Sequence, residues 1–439
     1  MLTITPTHRP FHHELTVPGD KSISHRSIMF SALAKGDTQI TGFLKSADCL
    51  STMACFRALG VEIEETGDVI TVHGRGLRGL RAPQRILDAG NSGTTTRLMS
   101  GILAAQNFES TLTGDASIQK RPMKRVIEPL TAMGADITSE KGNGCAPLLI
   151  RGRKLHDIEW TSSVASAQVK SCILLAALCA GCSASVTEPA LSRDHSERML
   201  LSFGADVRST KNPGGTFTAF IAPTYEFTSP GSIVVPGDIS SAAYFLAAAM
   251  MVPGSEILVK NVGINPTRAG ILTVLERMGA DISAENADVT GEPCADLLLK
   301  HSELTAPGCD ENGDLVIGGD LIPTLIDELP MIAVLATQLP CRTIIRDAAE
   351  LKVKESDRIA VMTKNLKRMG ADIEATDDGF IISGPAPLHG AEIDPHLDHR
   401  IAMSLAVAAL AADGETVIRD ADCVNISYPE FYQELRKLL

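Results

Sequence analysis

Aromatic side chains are scarce in this 439-residue chain: they occupy 4% of positions, while apolar residues of all kinds reach 44%. A chain of this length has room for two or three domains, and their cores must be built mainly from aliphatic residues. Basic residues are also in deficit, because 40 Lys and Arg face 53 Asp and Glu and leave a formal net charge of −13. This balance argues against a nucleic-acid or anionic-membrane partner. An anionic substrate would need Lys and Arg concentrated locally.

Long apolar runs and clustered cysteines are missing as well. The longest apolar stretches, 172–182 and 242–252, fall short of the ~20 residues that a membrane-spanning helix needs. The first fifteen residues lack the basic region and apolar core of a signal peptide. The ten cysteines are scattered, which is typical of reduced, buried thiols. We therefore expect a cytoplasmic protein without a membrane partner.

One short phrase recurs along the chain, reading ALGVEI, MGADIT, FGADVR, MGADIS and MGADIE. Each copy follows a stretch with helical periodicity, and its Gly suits the position just after a helix, where a positive φ costs Gly little. The Ile or Val that follows begins an extended segment. The glycines are 74, 70, 75 and 91 residues apart. This spacing favours a small α/β unit repeated several times, with a sixth helix of this type at 429–439.

A second helix is predicted once per unit and is apolar almost all round, which indicates burial. The six predicted ranges are 22–34, 93–105, 168–180, 240–250, 328–338 and 400–411. Polar residues cluster at their N-terminal ends. Ser, Asp and Asn there are explained by helix capping, but Lys, Gln, His and Arg are not. Convergence of such helix starts would create a local anion site in an acidic protein.

Two familiar motifs do not indicate a binding site in this chain. Residues 74–79 match G-x-G-x-x-G, but no apolar helix opens at these glycines, so a hairpin or loop is favoured over a dinucleotide site. Cys179 and Cys182 match C-x-x-C, but there is no second pair for zinc and the motif closes a helix. We predict no metal site and no cofactor.

Five segments place cations or small polar residues beside predicted helix starts: 18–26, 88–97, 119–125, 352–359 and 396–403. Each has an ordinary structural explanation, namely a solvated helix start, a tight turn with a cap, or a surface charge run. The fourth segment predicts Lys354 and Arg358 on one side of a helix start, with Glu355 beside them. That carboxylate is a surface salt-bridge partner by default and an acid/base candidate if it lies in a cleft. Arg400 heads a buried helix, which is costly unless it meets an anion.

Taken in order, these segments resemble the enolpyruvyl transferases, and most closely the 5-enolpyruvylshikimate-3-phosphate synthase family. The resemblance runs the full chain through PGDKSISHR, GNSGTTTR, RPM, SAQVKS, SRDHSE, IDELP, LKVKESDR and LDHRIAMS. SAQVKS and SRDHSE are similar to the class II bacterial subgroup. Each segment is weak alone, but the ordered set is specific.

The resemblance implies an α/β (α+β) fold of two domains, each with three repeated βαβαββ-type units around buried parallel helices. One domain would span 18–235 and carry the N-terminal substrate motifs. The other would join 1–17 to 236–439 and carry the acid/base residues. The active site is expected in the cleft between them, and the protein is expected to be a monomer.

The resemblance also implies the residue roles. Asp327 would accept the proton of the attacking 5-hydroxyl, and Glu355, helped by Lys21, would protonate the methylene carbon of phosphoenolpyruvate. Contacts to shikimate 3-phosphate are implied for Lys21, Ser22, Arg26, Ser166, Ala167, Gln168, Arg193, Asp327 and Lys354. Contacts to phosphoenolpyruvate are implied for Lys21, Gly93, Arg121, Gln168, Glu355, Arg358 and Arg400.

Three positions depart from patterns within the family. Ile426 lies where many relatives carry a Lys shortly before the C-terminal motif. Ala167 replaces a Ser of the other subgroup, which removes one phosphate hydroxyl. Gly93 is the smaller option at a position where some glyphosate-tolerant relatives carry Ala, which implies a glyphosate-sensitive target.

Other functions stay open at this point. A UDP-N-acetylglucosamine enolpyruvyl transferase shares the fold, but its loop cysteine has no evident match, since the residues flanking Cys145 differ. A nonenzymatic binding protein on the same scaffold would predict loss of the acid/base pair, yet Asp327 and Glu355 are present. An RNA-end-processing enzyme built from related units is disfavoured by the acidic charge and the few aromatics.

Overall fold

The computed structural model describes residues 1–7, 9–289 and 291–439. The chain divides into two compact units. We call Gly19–Val235 the central unit, and Met1–Pro18 together with Pro236–Leu439 the terminal unit. Within the described ranges, no helix combines the length and hydropathy that a membrane span requires.

The terminal unit begins with strands β1 (Leu2–Ile4) and β2 (His12–Thr16), after which the chain enters the central unit. The helices of the central unit are α1 (Lys21–Leu33), α2 (Ala47–Ala58), α3 (Gly93–Ala104), α4 (Lys124–Ala132), α5 (Ala167–Ala180) and α6 (His195–Ser202). Its strands are β3 (Lys35–Thr41), β4 (Glu62–Thr66), β5 (Val69–Arg75), β6 (Leu87–Asp88), β7 (Glu109–Thr113), β8 (Asp136–Ser139), β9 (Leu148–Arg151), β10 (Ile158–Thr161), β11 (Ala184–Glu188), β12 (Val207–Lys211), β13 (Phe217–Ile221) and β14 (Ser232–Val234).

The chain then returns to the terminal unit. Its helices are α7 (Ile239–Met251), α8 (Gly270–Met278), α9 (Ile322–Leu325), α10 (Leu329–Ala336), α11 (Arg358–Arg368), α12 (His399–Leu410) and α13 (Phe431–Arg436). The remaining strands are β15 (Glu256–Gly263), β16 (Asp281–Asp288), β17 (Cys294–Lys300), β18 (Asp314–Ile317), β19 (Arg342–Ile345), β20 (Asp372–Ala375), β21 (Phe380–Ser383), β22 (Glu392–Ile393) and β23 (Thr416–Ile418).

Each unit contains three small sheets. Those of the central unit have the orders β14-β3-β5-β4, β6-β7-β9-β8 and β10-β11-β13-β12. Those of the terminal unit have the orders β16-β17-β15-β2, β18-β19-β21-β20 and β1-β23-β22. In the sheet of β10 to β13, the first pairing is parallel and the next two are antiparallel. Since α5 and α6 join its first three strands, this unit is a βαβαββ unit, and the predicted α/β fold is confirmed.

The repeated Gly positions behave as the sequence predicted. Gly60, Gly134, Gly204, Gly279 and Gly370 have φ between 85° and 97°, just after a helix. Strands follow at β4, β8, β12, β16 and β20. A side chain would oppose this left-handed backbone, so Gly ends each helix and turns the chain into the sheet.

The buried helices form the core of each unit. Helix α5 has eleven buried residues in succession, from Val169 to Cys179, and α7 is buried along its whole length. Such helices leave polar groups room only at their ends. Side chains of Asp20, Ser92, Ser166, Asp238 and Asp398 cap α1, α3, α5, α7 and α12, whereas α10 has no side-chain cap. The capping explanation is therefore confirmed at five of the six helices.

Gly101 allows α3 to pack directly on the backbone of α5, because a Cβ at this position would lie 2.1 Å from the carbonyl oxygen of Cys172. We expect Gly101→Ala to lower the free energy of unfolding by about 2 kcal/mol or more, since overpacking a close backbone contact forces the helices apart. Chemical denaturation measures this loss. Gly142→Ala is the matched control, because its Cβ meets no atom within 4 Å and only its left-handed φ costs about 1 kcal/mol. Equal losses in the two variants would contradict this account of the helix contact.

Candidate functional site

The start of helix α1 carries the first group of predicted site residues. Lys21 is the first residue of the helix, and its ammonium forms an ion pair with the carboxylate of Asp48. Arg26, one turn further on, is buried. Its guanidinium donates to the carbonyl oxygen of Ser22 at 2.9 Å, to Ser171 Oγ at 3.0 Å and to Ser196 Oγ at 2.8 Å. Arg26 therefore joins α1 to α5 and α6 in addition to its predicted substrate role.

A second group lies where α3 and α5 begin. The amide of Gln168 is fixed at both ends: its oxygen accepts from Arg97 Nη1 at 2.6 Å, and its nitrogen donates to Thr94 Oγ1 at 3.1 Å. Arg121 donates to Asn91 Oδ1 at 3.0 Å and to Ser117 Oγ at 3.2 Å. These arginines are bonded to amide and hydroxyl oxygens, so the group offers positive charge to an anion.

Gly93 lies beside the guanidinium groups of Arg97 and Arg121. A Cβ at Gly93 would lie 2.8 Å from Arg97 Nη1 and 3.4 Å from Arg121 Nη1. Burial, together with the charges of Arg121 and Arg125, lowers the pKa of Arg97 to about 10. Mutual repulsion of these cations would be relieved by a bound anion.

Sequence reasoning gave Arg97 no role, although it stands within the GNSGTTTR segment, four residues after Gly93. On a helix this spacing places the two residues on the same face. The spacing within GNSGTTTR is therefore the sequence signal for Arg97.

The third group surrounds the start of α5. Ser166 caps the helix, and its own backbone N–H donates to Glu188 Oε1 at 2.6 Å. Ala167 is the first residue of the helix and has no polar side-chain atom. Arg193 lies in the loop between β11 and α6. We call these three groups, all within the central unit, the central cluster.

The terminal unit holds a separate cluster built around Arg358. Its side chain is 1% exposed, and Nε donates to Asp398 Oδ2 at 2.9 Å. Nη2 donates to Glu355 Oε2 at 2.5 Å, and Nη1 lies 3.6 Å from Asp327 Oδ1. We call this group, together with Arg400, the terminal cluster.

Asp327 lies near two guanidinium groups in this cluster. Besides Arg358, it has Arg400 Nη2 at 3.8 Å from its Oδ2. Burial disfavours the charge of Arg400, but Asp327, Tyr244 and Glu328 outweigh it and hold the pKa of Arg400 well above its ordinary value. Arg400 at the head of a buried helix thus has carboxylate partners, as its placement required.

Glu355 is ionised in the substrate-free protein. Burial opposes its charge, but Arg358, His399 and Arg400 favour it and lower the pKa of Glu355 to about 2. At neutral pH this carboxylate therefore accepts a hydrogen bond and holds no proton. It becomes a proton donor only if the positive charge around it is reduced.

The prediction that Lys354 shares a helix start with Arg358 is wrong. Helix α11 begins at Arg358, and Lys354 lies just after a 3-10 turn over Ala349–Val353. Its ammonium donates to Glu350 Oε1 at 2.7 Å. Asp357 accepts from the N–H of Ala360 and caps α11, so the cap sets the helix start after Lys354.

Sequence reasoning missed several buried charged residues that lie near the two clusters. Arg268 donates to both oxygens of Glu328, at 2.9 and 3.0 Å, and also lies 3.2 Å from Asp238. Lys170 is buried between Glu188 and Glu197. A buried charge pair formed by residues distant in sequence leaves no local pattern, so no sequence motif predicts these pairs.

The weaker motifs hold no site residues. After Arg75 at the end of β5, Gly76 turns with φ 77° and no helix follows, so the loop explanation of residues 74–79 is confirmed. Cys179 and Cys182 are buried, and burial raises the pKa of their thiols to about 12 and about 11. All ten cysteines, each within the described part of the chain, are free thiols.

Comparison with known proteins gives one consistent match. The family model for EPSP synthase (3-phosphoshikimate 1-carboxyvinyltransferase) matches residues 6–435. The chain is 51% identical over 437 residues to the 3-phosphoshikimate 1-carboxyvinyltransferase of Bacillus thuringiensis subsp. konkukian (strain 97-27), covering 99% of both chains. It is 52% identical over 419 residues to that of Geobacter sp. (strain M21), covering 95% of this chain and 94% of the relative.

Solved structures agree with the sequence matches. An EPSP synthase structure from Acinetobacter baumannii superimposes with a TM-score of 0.89 at 44% identity, covering 99% of this chain and 97% of the other. A second structure of an EPSP synthase from the same organism gives a TM-score of 0.88 at 43% identity.

The buried pair of Arg358 and Asp398 generates a stability prediction. We expect Asp398→Asn to lower the free energy of unfolding by about 3–5 kcal/mol, because it removes the fully buried carboxylate that pairs with the Arg358 guanidinium. Asn still caps a helix well, so loss of the α12 cap does not explain the effect. Chemical denaturation measures it.

Asp314→Asn is the matched control, because Asp314 also binds an arginine through Nε at 2.9 Å, but Arg342 is 54% exposed. Solvent replaces such a partner, so this variant should lose much less stability. A loss in Asp398→Asn no larger than in the control would contradict the role of the buried pair.

Proposed function

The chain belongs to the EPSP synthase family, and from this premise we propose how its two clusters carry out the 3-phosphoshikimate 1-carboxyvinyltransferase reaction. The reaction moves the enolpyruvyl group of phosphoenolpyruvate to the 5-hydroxyl of shikimate 3-phosphate and releases phosphate. The observation that carries the assignment of roles is the terminal cluster, where two carboxylates, Asp327 and Glu355, lie against the buried cation Arg358. Such a set can move protons beside an anion.

We propose that residues of both clusters bind the same pair of substrates. Shikimate 3-phosphate would contact Lys21, Ser22, Arg26, Ser166, Ala167, Gln168, Arg193, Asp327 and Lys354. Phosphoenolpyruvate would contact Lys21, Gly93, Arg121, Gln168, Glu355, Arg358 and Arg400. Support comes from the fixed amide of Gln168 and from the cations near Gly93, where the absence of a Cβ leaves space beside the guanidinium of Arg97. We add Arg97 to the residues of the binding site because its guanidinium donates to the amide oxygen of Gln168.

The reaction depends on proton transfers to and from the carboxyl groups of Asp327 and Glu355. Asp327 accepts the proton of the 5-hydroxyl while the hydroxyl oxygen bonds to C2 of phosphoenolpyruvate. A proton is delivered by Glu355, helped by Lys21, to the methylene carbon, which becomes a methyl group in the tetrahedral adduct. The C–O bond to phosphate then breaks as the proton held by Asp327 passes to the leaving phosphate, and the Glu355 carboxylate takes back a methyl proton, which restores the double bond and both starting protonation states. Arg358 and Arg400 offset the negative charge that develops on the phosphate.

Glu355 can be the acid in this scheme although its pKa is about 2 in the substrate-free protein. Its ionisation depends on Arg358, His399 and Arg400, which outweigh the opposing effect of burial. A phosphate or carboxylate bound to the arginines cancels part of their positive charge. The pKa of Glu355 then rises toward the value of a proton donor, so substrate binding itself prepares the acid.

Finer assignments rest on the sequence segments. We propose that the chain belongs to the class II bacterial subgroup, which SAQVKS and SRDHSE support. We also propose a cytoplasmic monomer, a setting in which the ten free thiols stay reduced.

The proposed substrates are tested by phosphate release from phosphoenolpyruvate, measured with shikimate 3-phosphate or with UDP-N-acetylglucosamine as the acceptor. We expect release only with shikimate 3-phosphate, because the chain belongs to the family that uses this acceptor. Omission of either substrate is the control. Turnover with the sugar nucleotide alone would refute the proposal.

The role of Glu355 is tested by Glu355→Gln. We expect kcat to fall at least about 100-fold, because an amide cannot deliver the proton. Binding of both substrates, measured by calorimetry, should persist, since Gln keeps the shape of the side chain. Glu374→Gln, an exposed position on β20 of the same unit, is the matched control and should retain full activity. A kcat within threefold of wild type in Glu355→Gln would remove this residue from the mechanism.

A further inference from the structure

A buried lysine in the central unit has no part in the proposed mechanism. The side chain of Lys170 is 2% exposed, as is that of Glu188. Its ammonium lies 2.8 Å from Glu197 Oε1 and 3.2 Å from Glu188 Oε2, and it donates to the carbonyl oxygen of Ser192 at 3.3 Å. The ammonium thus uses its donors on three segments of the chain, which are the end of β11, the loop after it and the start of helix α6.

Each of these three partners leads directly to a residue assigned to shikimate 3-phosphate. Glu188 Oε1 accepts from the backbone N–H of Ser166 at 2.6 Å. Ser192 precedes Arg193 in the loop, and its hydroxyl donates to Glu188 Oε2 at 2.6 Å. Glu197 follows Ser196, whose hydroxyl accepts from Arg26 Nε at 2.8 Å. One ammonium therefore connects the backbone that carries Ser166, Arg193 and the partner of Arg26.

Core packing does not by itself require this arrangement. A buried charge group is often no more stabilising than apolar residues of the same volume, because removing charges from water is costly. Ser192 and Arg193 lie in the loop between β11 and α6, and Ser166 lies just before α5 as its N-terminal cap. The charged contacts of Lys170 add fixed partners to these segments.

The positive charge of Lys170 is compatible with an anion bound nearby. Burial disfavours the charge of Lys170, yet Glu197 and Glu188 outweigh it and raise its pKa, so the ammonium stays protonated. Burial also raises the pKa of Glu197, against the opposing charge of Lys170.

We propose that Lys170, Glu188 and Glu197 are positioning residues for shikimate 3-phosphate, holding Ser166, Arg193 and Arg26 in one arrangement that fits its phosphate. The inference rests on the proposed function, because these ligands were assigned from it. None of the three residues touches the substrate, so their effect is on its binding and not on proton transfer.

Glu188→Gln is the first test, because Gln keeps the length of the side chain but weakens the charge-assisted bonds to Ser166 and Lys170. We expect the KM for shikimate 3-phosphate to rise about 10-fold or more. The KM for phosphoenolpyruvate and kcat should each stay within about threefold, since positioning of one substrate alone is lost. Steady-state phosphate release measures all three constants.

Ile150→Ala is the control for general loss of stability, because Ile150 is fully buried in β9 of the same unit and has no polar side-chain atom. It should lower the Tm without separating the two KM values. An equal rise of the KM for shikimate 3-phosphate in this control would overturn the proposal. So would an equal rise of both KM values in Glu188→Gln.

Glu197→Gln is a second, independent test, because it leaves the hydrogen bond between Glu188 and Ser166 in place. We expect a smaller rise of the KM for shikimate 3-phosphate, about threefold, with the KM for phosphoenolpyruvate unchanged. If Glu188→Gln does not fold, this variant decides the question alone. An unchanged KM for shikimate 3-phosphate in a folded variant would refute the positioning role.

These outcomes are distinct from failure of the proposed function. Wild type is measured first, and the proposed function fails if wild type releases no phosphate with shikimate 3-phosphate. The positioning inference fails when wild type turns over this substrate and the variants show no selective change in its KM.

Discussion

The guanidinium of Arg358 is almost completely buried, and it is held there by the fully buried carboxylate of Asp398. An unpaired charge in a dry interior is unstable by several kcal/mol, so a buried cation fixes the position of the groups that pair with it. Arg358 fixes Asp398 and Glu355, Arg268 fixes Glu328, and Lys170 fixes Glu188. The geometry of both clusters depends on this requirement.

The requirement acts at helix ends because the helices themselves are apolar. Helices α5 and α7 are buried over nearly all of their residues, so polar groups can stand only where they begin. The capping residues satisfy the free N–H groups there. Charged residues next to the caps then lie close to one another inside each unit. A repeated fold with apolar central helices therefore produces polar clusters at their starts as a consequence of its architecture.

The same reasoning explains what the sequence could and could not predict. Helix boundaries and the five glycines were predictable because periodicity and positive φ leave local patterns. Lys354 was placed wrongly because the Asp357 cap, three residues after it, determines where α11 begins. Lys170 and Arg268 were missed because their partners are distant in sequence, as with Glu188 and Glu328. Family resemblance supplied roles for residues that local patterns alone left ambiguous.

The two clusters differ in how their cations are balanced, and this difference suits different tasks. In the central cluster, Arg97 and Arg121 are bonded to the side-chain oxygens of Gln168 and Asn91, and they repel one another, which favours an incoming anion. In the terminal cluster, Arg358 is already paired with carboxylates, so an anion that binds there must compete with Glu355. In the proposed mechanism, that competition converts anion binding into a change in the protonation of Glu355. The terminal cluster would thereby bind charge and respond to it, whereas the central cluster would bind charge without such a response.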